Sequence, residues 1–414
     1  MKIISNTMKR KFIQHILNIL AHLVLWRYRP LVIAVTGSVG KTSTKEAIYT
    51  VLKKQYRVGK NNFNLNTEIG MPLTIIQGKD ARRNIGLWIY NIFHTFHLIL
   101  FKKKNYPSVL ILEMSEDAPG MIKYLTNLAH PQIGVVTVIG TPPVHLKYYQ
   151  NTEQLIQEIN YLPEHLPASG TAVLNADDLS IQALSSYISA SVIAYGFQEK
   201  ADLQITNYKL INENDLKNLG CSFRLEYQGS YVPIKLEKVF GKAQAYALAA
   251  AAAVGLSLKM NLLQVAEAIK HYQIIDGRTS FVLGKKSTWL LDDSYNACPD
   301  SVRNVLDLIK EIPASRKIVC LGDMKELGYM ANQAHRAIGE SVAQVANIFV
   351  GVGEKMKLTQ EVISNDYPNV ETYWFSDSEQ AASALESTIK KGDLVLIKGS
   401  RVMAMEKVTQ ALRA

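Results

Sequence analysis

The sequence is poor in cysteine, and the few thiols it has lie far apart. Cys221, Cys298 and Cys320 are the only cysteines in 414 residues, and no C-x-x-C pair occurs. This excludes a disulfide framework and a zinc site of the usual spacing, and it is typical of a protein kept in a reducing compartment. We therefore predict a cytoplasmic protein whose cysteines act as small buried hydrophobic residues.

Two apolar segments are too short and too polar to favour a membrane span. They are residues 12–26 and 85–101, flanked by Lys9–Lys11 and Arg27 and by Arg82, Arg83 and Lys102–Lys104. Each falls short of the roughly 20 clean apolar residues that a spanning helix needs, and neither has a signal-peptide cleavage site. Helical apolar spacing with basic flanks favours helices lying in a membrane interface. Helices packed on the protein or on a partner are the main alternative, and a spanning helix is the least favoured one.

The positive charge lacks the pattern of nucleic-acid binding. The chain has 46 Lys and Arg against 36 Asp and Glu, a net charge of +10. However, no basic run is interleaved with aromatic residues, and no RNA- or DNA-binding motif occurs. Anionic substrates or an anionic membrane surface explain the charge equally well. We expect no nucleic-acid partner.

A glycine-spaced turn is the most informative motif. Residues 32–43 read VIAVTGSVGKTS, a β-branched apolar run followed by Gly-x-x-Gly-Lys-Thr and a helical stretch. Such a strand–loop–helix presents backbone N–H groups, here those of residues 38–42, to a phosphate chain. The lysine reaches the β- and γ-phosphates, and the threonine hydroxyl reaches Mg²⁺. The turn, two residues tighter than the general form, predicts a nucleotide site made of Gly37, Ser38, Val39, Gly40, Lys41, Thr42 and Ser43.

Alternating strands and helices predict an α/β fold with mainly parallel sheets. Expected strands are 32–36, 108–113, 133–138 and 171–174, with an amphipathic segment at 152–162, antiparallel strands within 191–236 and an alanine-rich helix after them. A second α/β pattern starts near Asp276-Gly277-Arg278. The predicted regions are a basic amphipathic helix at 1–30, a three-layer P-loop domain at 31–276 with an apolar insert at about 83–104, and a smaller Rossmann-like domain at 277–414.

Several further motifs follow in an order that resembles a known family. They are NFNLNTEIGMPLT at 62–74, LEMSEDAPG at 112–120, GTAVLNADD at 170–178, DDSYNACPDS at 292–301, LGDMKELG at 321–328 and KGSRVMAME at 398–406. With the loop at 36–46 and DGR at 276–278, they resemble the Mur ligases over residues 31–414. The likeness is greatest to the type that adds D-alanyl-D-alanine to a UDP-N-acetylmuramoyl tripeptide. In this family ATP phosphorylates a carboxylate, and an amine then attacks the acyl phosphate to leave an amide and phosphate.

The resemblance implies a catalytic group of four residues: Lys41, Glu113, His145 and Arg278. Lys41 would hold the phosphates, and Arg278 would meet ATP as the domains close. Thr42, Glu113 and His145 would hold Mg²⁺. Without the resemblance, Glu113 would be an ordinary strand-end carboxylate. His145 matches only if two extra residues are allowed nearby, and a surface histidine is the alternative.

The second half of the chain supplies further implied contacts to the nucleotide. Asp293, Tyr295 and Asn296 resemble the residues that this half gives to ATP in the family. A carboxylate can accept ribose hydroxyls, while Tyr and Asn can flank a base; a polar turn is the alternative. Gln244 stands where the family has an asparagine near adenine, which leaves adenine recognition open.

The substrates have their own implied residues. Asn64 and Asn66 match a substrate-side loop, and Ser400 and Arg401 match the pair that binds the peptide end of the muramyl substrate. An arginine fork suits a carboxylate. His335 matches another family segment, with a helix-surface histidine as an equal alternative.

Two further features depart from the family. The 30 residues before the first strand are too few for its UDP-sugar-binding domain. We therefore expect the UDP end to be held otherwise, or the acid to be different, for example lipid-linked. Ile159 takes the position of a carbamylated lysine that bridges to a second Mg²⁺, and neighbouring Glu158 points about 100° away round a helix. Weaker binding of the second metal, or a slower reaction, is expected.

The sequence thus predicts an ATP- and Mg²⁺-dependent ligase of peptidoglycan precursor synthesis. Its expected partners are a muramyl peptide and D-alanyl-D-alanine, and it is expected to be a cytoplasmic monomer with peripheral membrane contact through 12–26 and 85–101. Two alternatives stay open. One is a Mur-ligase relative with another acid and amine, and the other is a non-catalytic ATP-binding scaffold.

Overall fold

The computed structural model describes residues 2–414 except 63–64, 83, 102, 141, 183–186 and 212–215. The strands of its first sheet are β1 (Leu31–Thr36), β2 (Val58–Lys60), β3 (Val109–Glu113), β4 (Ile133–Val136), β5 (Thr171–Asn175), β6 (Ser191–Gly196), β7 (Leu203–Ile211), β8 (Gly220–Tyr227) and β9 (Ser230–Glu237). The helices of this region are α1 (Lys2–Tyr28), α2 (Lys41–Leu52), α3 (Gly70–Ile75), α4 (Ile85–Leu100), α5 (Met121–Ala129), α6 (Thr152–Glu164), α7 (Leu179–Gln182), α8 (Lys242–Ser257) and α9 (Leu262–Ile269).

The first sheet is mainly parallel. Its spatial order is β2-β3-β1-β4-β5-β6-β7-β8-β9, and the pairs from β2 to β7 are parallel. Strands β7, β8 and β9 pair antiparallel. The expected antiparallel stretch at 191–236 is therefore corrected at its start, because β6 continues the parallel part of the sheet.

Three layers follow from the alternation of side chains along the central strand. Ile33 and Val35 of β1 point into a core shared with the alanine-rich helix α8. Val32 and Ala34 point into the opposite core, shared with α1, α5 and α6. Parallel strands covered on both faces are apolar throughout, as the run at 32–35 is. The predicted α/β fold of this region is confirmed.

The second sheet is also mainly parallel. Its strands are β10 (Ser280–Gly284), β11 (Thr288–Asp293), β12 (Arg316–Gly322), β13 (Ile348–Val352), β14 (Glu371–Phe375) and β15 (Asp393–Lys398), in the spatial order β10-β11-β15-β12-β13-β14. Only the edge strand β10 is antiparallel to its neighbour. The helices are α10 (Pro299–Glu311), α11 (Ala331–Ala343), α12 (Met356–Asp366), α13 (Ser378–Thr388) and α14 (Glu406–Leu412). We take 276–278, between the two sheets, as the domain boundary.

The two apolar segments form α1 and α4, which contact each other on one face of the first sheet. Helix α1 buries Leu17, Leu20, Ala21 and Val24 in the core. One face of it is thus packed on the protein, which was the alternative to a helix lying only in an interface. Within the described residues we find no helix whose length and hydrophobicity suffice for a membrane span.

Candidate active site

The phosphate loop joins the end of β1 to the start of α2. Gly37 and Gly40 have φ angles of 121° and 88°, which side chains rarely adopt, and a Cβ on Gly37 would lie 2.3 Å from Thr137 Oγ1. Helix α2 begins at Lys41 with no side-chain cap. Its first N–H groups therefore have no intrahelical partner and are available to an anion.

Two of the loop amides are already engaged. The N–H groups of Ser38 and Val39 donate to Val138 O at 2.7 and 3.0 Å. Two of the five amides predicted at residues 38–42 are thus engaged within the fold, while the first N–H groups of α2, from Lys41 onward, have no intrahelical partner. The Oγ of Ser38 is buried and has no hydrogen-bond partner among the described residues, so the hydroxyl of this residue is still available to a phosphate.

Lys41 is held by a carboxylate that sequence reasoning missed. Its Nζ lies 2.8 and 3.0 Å from the two carboxylate oxygens of Glu116, and it also contacts Gly37 O. Glu116 is fully buried, and its backbone oxygen accepts a hydrogen bond from Tyr149 Oη at 2.9 Å. Its only sequence signal is its position three residues after Glu113, in the loop that leaves the same strand end.

Thr42 and Glu113 lie together, as the sequence predicts. Thr42 Oγ1 donates to Glu113 Oε1 at 3.3 Å, and Lys45 Nζ lies 3.0 Å from Glu113 Oε2. Asn66 Nδ2 is 3.5 Å from Glu113 Oε1. Burial opposes the charge of Glu113, but the charges of Lys45 and Lys41 outweigh it, so the pKa of Glu113 is lowered. The carboxylate is therefore ionised at neutral pH.

This pair has the right chemistry for Mg²⁺ but only part of a coordination shell. A hydroxyl and an ionised carboxylate are hard oxygen donors, and Mg²⁺ is commonly held by one or two such groups together with substrate phosphates and water. No group of three or more His, Cys, Asp or Glu side chains in metal-binding arrangement occurs in the described part of the chain. The residues fit a metal that arrives with a nucleotide.

Arg278 reaches this site from the segment that joins the two sheets. Its Nη2 lies 3.5 Å from Thr42 Oγ1, and its guanidinium carbon lies 4.1 Å from the ring centre of Tyr295. The Nε of Arg278 is buried without a hydrogen-bond partner among the residues that the structure describes. A buried donor without a partner is costly, so this atom is well suited to a bound anion.

His145 lies at the junction of the two halves of the chain. Its Nδ1 is 2.6 Å from Glu326 Oε2, and its Nε2 is 3.4 Å from Asp117 Oδ1. Burial disfavours the charged ring, but contact with Glu326 and the charge of Glu116 outweigh it, so the pKa of His145 is raised. Both ring nitrogens face carboxylates, and a metal could be bound only after Glu326 or Asp117 has moved. Glu326 was not predicted; it lies in the quoted motif at 321–328.

Two adjoining clefts collect most of the predicted residues. The first is lined by Ser38, Gly40, Lys41, Thr42, Asn66, Glu113, His145, Arg278, Tyr295, Asn296, Ser400 and Arg401. The second is lined by Ser38, Val39, Gly40, Ser43, Gln244, Arg278, Asp293 and Asn296. Both therefore run from the phosphate loop to the second half of the chain. Gly37 lines neither cleft, and Asn64 lies outside the described residues.

Comparison with known families identifies the kind of protein that carries this cleft. The family model described as Mur ligase middle domain matches residues 35–88 and 90–255, and the one described as Mur ligase, glutamate ligase domain matches residues 277–401. The chain belongs to the Mur ligase family. Together these matches cover both lobes of this Mur ligase.

Known relatives agree with this assignment. A UDP-N-acetylmuramoyl-tripeptide–D-alanyl-D-alanine ligase from Synechocystis is 30% identical over 395 residues, or 94% of this chain and 76% of the relative. The crystal structure of a MurF ligase from Thermotoga maritima in complex with ADP has a TM-score of 0.76 at 25% identity, covering 96% of this chain and 83% of that one. A MurF from Acinetobacter baumannii has a TM-score of 0.79 at 22% identity over 96% and 80% of the two chains, which shows the shared fold.

In this Mur ligase, Asp293 is held by partners within the protein. Thr279 N donates to its Oδ1 at 3.0 Å, and Lys398 Nζ lies 2.5 Å from its Oδ2. Lys398 also donates to Asn296 O at 2.8 Å. Asp293 thus ties the segment after the domain boundary to the end of β15. Lys398, which the sequence analysis did not predict, places a cation in the second cleft.

Gln244 is likewise engaged at both ends of its amide. Tyr272 Oη donates to its Oε1 at 2.8 Å, and its Nε2 donates to Arg278 O at 3.3 Å. Its position fixes the backbone of Arg278. The ring of Tyr295 faces the guanidinium groups of Arg278 and Arg401, at 4.1 and 6.0 Å.

The predicted substrate residues differ in whether their side chains are buried within the fold or accessible to a ligand. Ser400 Oγ is buried and accepts from Lys325 N at 2.7 Å, which makes it part of the local fold. Arg401 is exposed and pairs with Glu406 at 2.7 Å. Asn66 lines the cleft beside Glu113. Arg401 and Asn66 are therefore the better placed to meet a ligand.

The departure at Ile159 has a packing consequence. Ile159 is fully buried in α6, inside the core beneath α1. Glu158 accepts from Gly120 N at 2.7 Å and Ile122 N at 2.6 Å, at the start of α5. Glu158 therefore caps a helix and is not available in place of the missing lysine.

His335 is neither on the helix surface nor in the clefts. It is fully buried, and its Nε2 accepts a hydrogen bond from Met324 N at 3.0 Å. Burial lowers the pKa of His335, so the ring is neutral. It holds the end of β12 against α11, which corrects the expectation of a histidine on the helix surface.

Proposed function

We propose that this chain is an ATP-dependent ligase that adds D-alanyl-D-alanine to a UDP-N-acetylmuramoyl tripeptide in peptidoglycan precursor synthesis. The observation that carries the proposal is the meeting of three groups at one cleft. They are the uncapped start of α2, the Thr42–Glu113 pair and Arg278 from the domain boundary. Relatives named for this activity, from Synechocystis and Bacillus subtilis, support the choice of substrates.

The first step is phosphoryl transfer to the substrate acid. A carboxylate oxygen attacks the γ-phosphorus of ATP, and the bond to the β–γ bridging oxygen breaks to release ADP. Lys41 and the first N–H groups of α2 neutralise the phosphates, and Arg278 adds charge from the opposite side. A carboxylate and ATP are both anionic, so these fixed cations are what allows them to approach.

The second step forms the amide. The amine attacks the carbonyl carbon of the acyl phosphate, the bond to the phosphate oxygen breaks, and the nitrogen loses a proton. We assign Arg401 and Asn66 to the substrates because both line the cleft and are not locked into the fold. Ser400 positions the neighbouring turn through Lys325 N.

Thr42 Oγ1 and Glu113 are the residues that would hold Mg²⁺, which supplies charge neutralisation at the β- and γ-phosphates. His145 could join this site only after Glu326 or Asp117 has moved. With Ile159 buried and Glu158 capping a helix, we expect one functional Mg²⁺ site of high affinity.

A non-catalytic ATP-binding scaffold is the second candidate. The observation that favours it is Ile159, an aliphatic residue in the core where the resemblance implies a metal-bridging group. A ligase for another acid and amine, including a lipid-linked acid, is the remaining alternative. The geometry of the cleft is compatible with each of these functions, and only a measurement of turnover distinguishes them.

We place the enzyme in the cytoplasm as a monomer. Its three cysteines are all buried and free, in line with a reducing compartment. The reaction itself needs no lipid, so the membrane contact predicted for 12–26 and 85–101 is a separate proposal.

Phosphate release tests the proposal. With ATP and Mg²⁺, phosphate should appear only when the muramyl tripeptide and D-alanyl-D-alanine are both present. Lys41→Ala should abolish it, whereas Lys53→Ala, at the exposed end of the same helix, should not. ATP binding without phosphate release in any substrate pair would favour the scaffold. Release with a different acid or amine would reassign the substrates.

A further inference from the structure

The face formed by α1 and α4 exposes an unusual amount of apolar surface. We call it the helical face. It carries 11 of the 20 large apolar side chains that are exposed in the described part of the chain, namely Phe12, Ile19, Leu23 and Trp26 on α1 and Ile85, Ile89, Tyr90, Phe93, Phe96, Leu100 and Phe101 on or just after α4. Phe93 and Trp26 are 70% and 68% exposed. On each helix the spacing places these residues in one stripe. Exposed apolar patches of this kind mark interaction sites.

The two helices of the helical face are joined to each other by hydrogen bonds at their C-terminal ends. Arg27 Nε donates to Ile99 O at 3.2 Å, and Tyr28 Oη donates to Leu98 O at 2.9 Å. At the other side of α4, Asn91 exchanges hydrogen bonds with the backbone of Lys79 at 2.8 and 2.9 Å. The inner sides of both helices are thus already packed and bonded. The outer apolar stripes therefore cannot be buried in the protein's own core while the inner sides keep these contacts.

The net positive charge of the chain comes from the two segments that contain these helices. Residues 1–31 and 82–105 contain 11 Lys and Arg and no Asp or Glu. The rest of the chain holds 35 basic and 36 acidic residues and is close to neutral. Among the described side chains of these segments, Arg10 contacts Glu68, and Arg82 lies 3.2 Å from Asp80. The apolar stripes are therefore flanked by an excess of cations.

A basic cleft lies where the two helices end. It is lined by Arg29, Arg57, Lys103 and Lys104, beside Tyr28 and Ser108. These residues come just before β1, β2 and β3, whereas Gly37 and Glu113 follow or end β1 and β3. In a parallel sheet the N-terminal ends of the strands lie on one side and the C-terminal ends on the other, so the basic cleft and the phosphate loop are on opposite sides of the sheet. An anion in the basic cleft and a nucleotide at the phosphate loop would therefore not compete.

We infer that the helical face docks this ligase on an anionic phospholipid bilayer. The apolar stripes of α1 and α4 enter the boundary between headgroups and acyl chains, and the flanking cations meet lipid phosphates, with the basic cleft taking one headgroup. A second copy of the chain is the poorer occupant, since a two-fold contact would bring together two copies of segments that contain basic and no acidic residues. Docking concerns where the enzyme works and does not depend on which amide it makes.

Vesicle flotation tests this inference with the full chain. Vesicles with one-third phosphatidylglycerol should carry the protein, vesicles of phosphatidylcholine alone should not, and raised salt should weaken the binding. The variant Trp26→Ser/Phe93→Ser/Phe96→Ser should bind about tenfold or more weakly with an unchanged melting temperature. Lys103→Ala/Lys104→Ala should bind less tightly and lose part of the salt dependence.

Matched controls use other exposed apolar and basic residues outside the helical face. Leu179→Ser/Leu263→Ser removes exposed apolar side chains, and Lys270→Ala/Lys310→Ala removes exposed cations, so both should bind as wild type does. Failure of wild type to float with anionic vesicles would overturn the inference. So would equal binding by the triple variant, or a dimer in light scattering that the triple variant abolishes.

Discussion

At the scale of single residues, the pairing of Lys41 with Glu116 sets the state of the phosphate loop before a nucleotide arrives. The ammonium group sits between the two carboxylate oxygens of a fully buried side chain. To reach a γ-phosphate it must weaken this contact, and the phosphate must approach the negative charge of Glu116. Both effects oppose nucleotide binding.

Glu116→Gln should therefore tighten the binding of Mg·ATP. We expect the dissociation constant in calorimetry to fall by roughly threefold to tenfold, because the amide keeps the shape without the charge. Glu113→Gln is the matched control and should weaken binding, since it removes the carboxylate that we propose holds Mg²⁺. Weaker binding by Glu116→Gln would mean that Glu116 acts with the nucleotide instead of against it.

Thr42 offers a second test at this scale. Thr42→Val removes the hydroxyl with little change in volume, whereas Thr42→Ser keeps it. The valine variant should need about tenfold more Mg²⁺ for half-maximal phosphate release, and the serine variant should stay near wild type. An equal Mg²⁺ requirement in the two variants would remove Thr42 from the metal site.

At the scale of elements, His335 joins β12 to α11 through a neutral ring. Because its pKa is lowered from the ordinary 6.5, its contribution to stability is fully present above pH 6.5 and is lost as the pH falls. Below that value the unfolded chain takes up a proton that the folded ring resists.

His335→Gln should reduce this acid sensitivity, since an amide oxygen can accept from Met324 N without titrating. Between pH 7.5 and 5, the free energy of unfolding of wild type should fall more than that of the variant, by at most about 1.4 kcal/mol per pH unit, as measured by denaturant unfolding. His271→Gln, at an exposed histidine, serves as the control and should follow wild type. Parallel curves for wild type and His335→Gln would refute the role of the buried ring.

At this scale one can also see which features could be predicted from the sequence and which could not. The strand and helix that flank the phosphate loop were predictable from local periodicity. The Thr42–Glu113 pair was predicted only from the resemblance of its motifs to the Mur ligases, since a carboxylate at a strand end is by itself ordinary. The contacts of Lys41 with Glu116 and of Lys398 with Asp293 were not predicted, because no quoted motif assigns a role to Glu116 or Lys398 and both contacts arise only where separate strand ends meet in the tertiary fold. The bonds of Ser38 and Val39 to Val138 and the burial of His335 likewise depend on tertiary packing, which a motif does not encode.

At the scale of the whole molecule, Glu326 links the two lobes. Its carboxylate contacts His145, lies 3.1 Å from Lys147, and accepts a hydrogen bond from Tyr148 Oη at 3.2 Å, so one turn of the first lobe is held by one residue of the second. His145 and Glu326 have φ angles of 67° and 68°. Such left-handed conformations are disfavoured and persist only where the surroundings enforce them.

Glu326→Gln should loosen the lobes in the absence of nucleotide. The His145–Glu326 pair is partly exposed, so we expect the substitution to weaken the contact between the lobes by only about 1 kcal/mol. The loosening should be seen as a larger radius of gyration in solution scattering. Glu354→Gln, on an exposed surface, should leave the radius unchanged. An unchanged radius in Glu326→Gln would show that the lobes are held together by other contacts.

The central claim is that the substrate acid passes through an acyl phosphate, and oxygen transfer tests it most directly. The muramyl tripeptide is prepared with ¹⁸O in both oxygens of its reacting carboxylate and incubated with Mg·ATP and D-alanyl-D-alanine. Each phosphate released should carry one ¹⁸O and the amide should keep the other, as read by mass spectrometry. Phosphate without ¹⁸O would contradict the central claim.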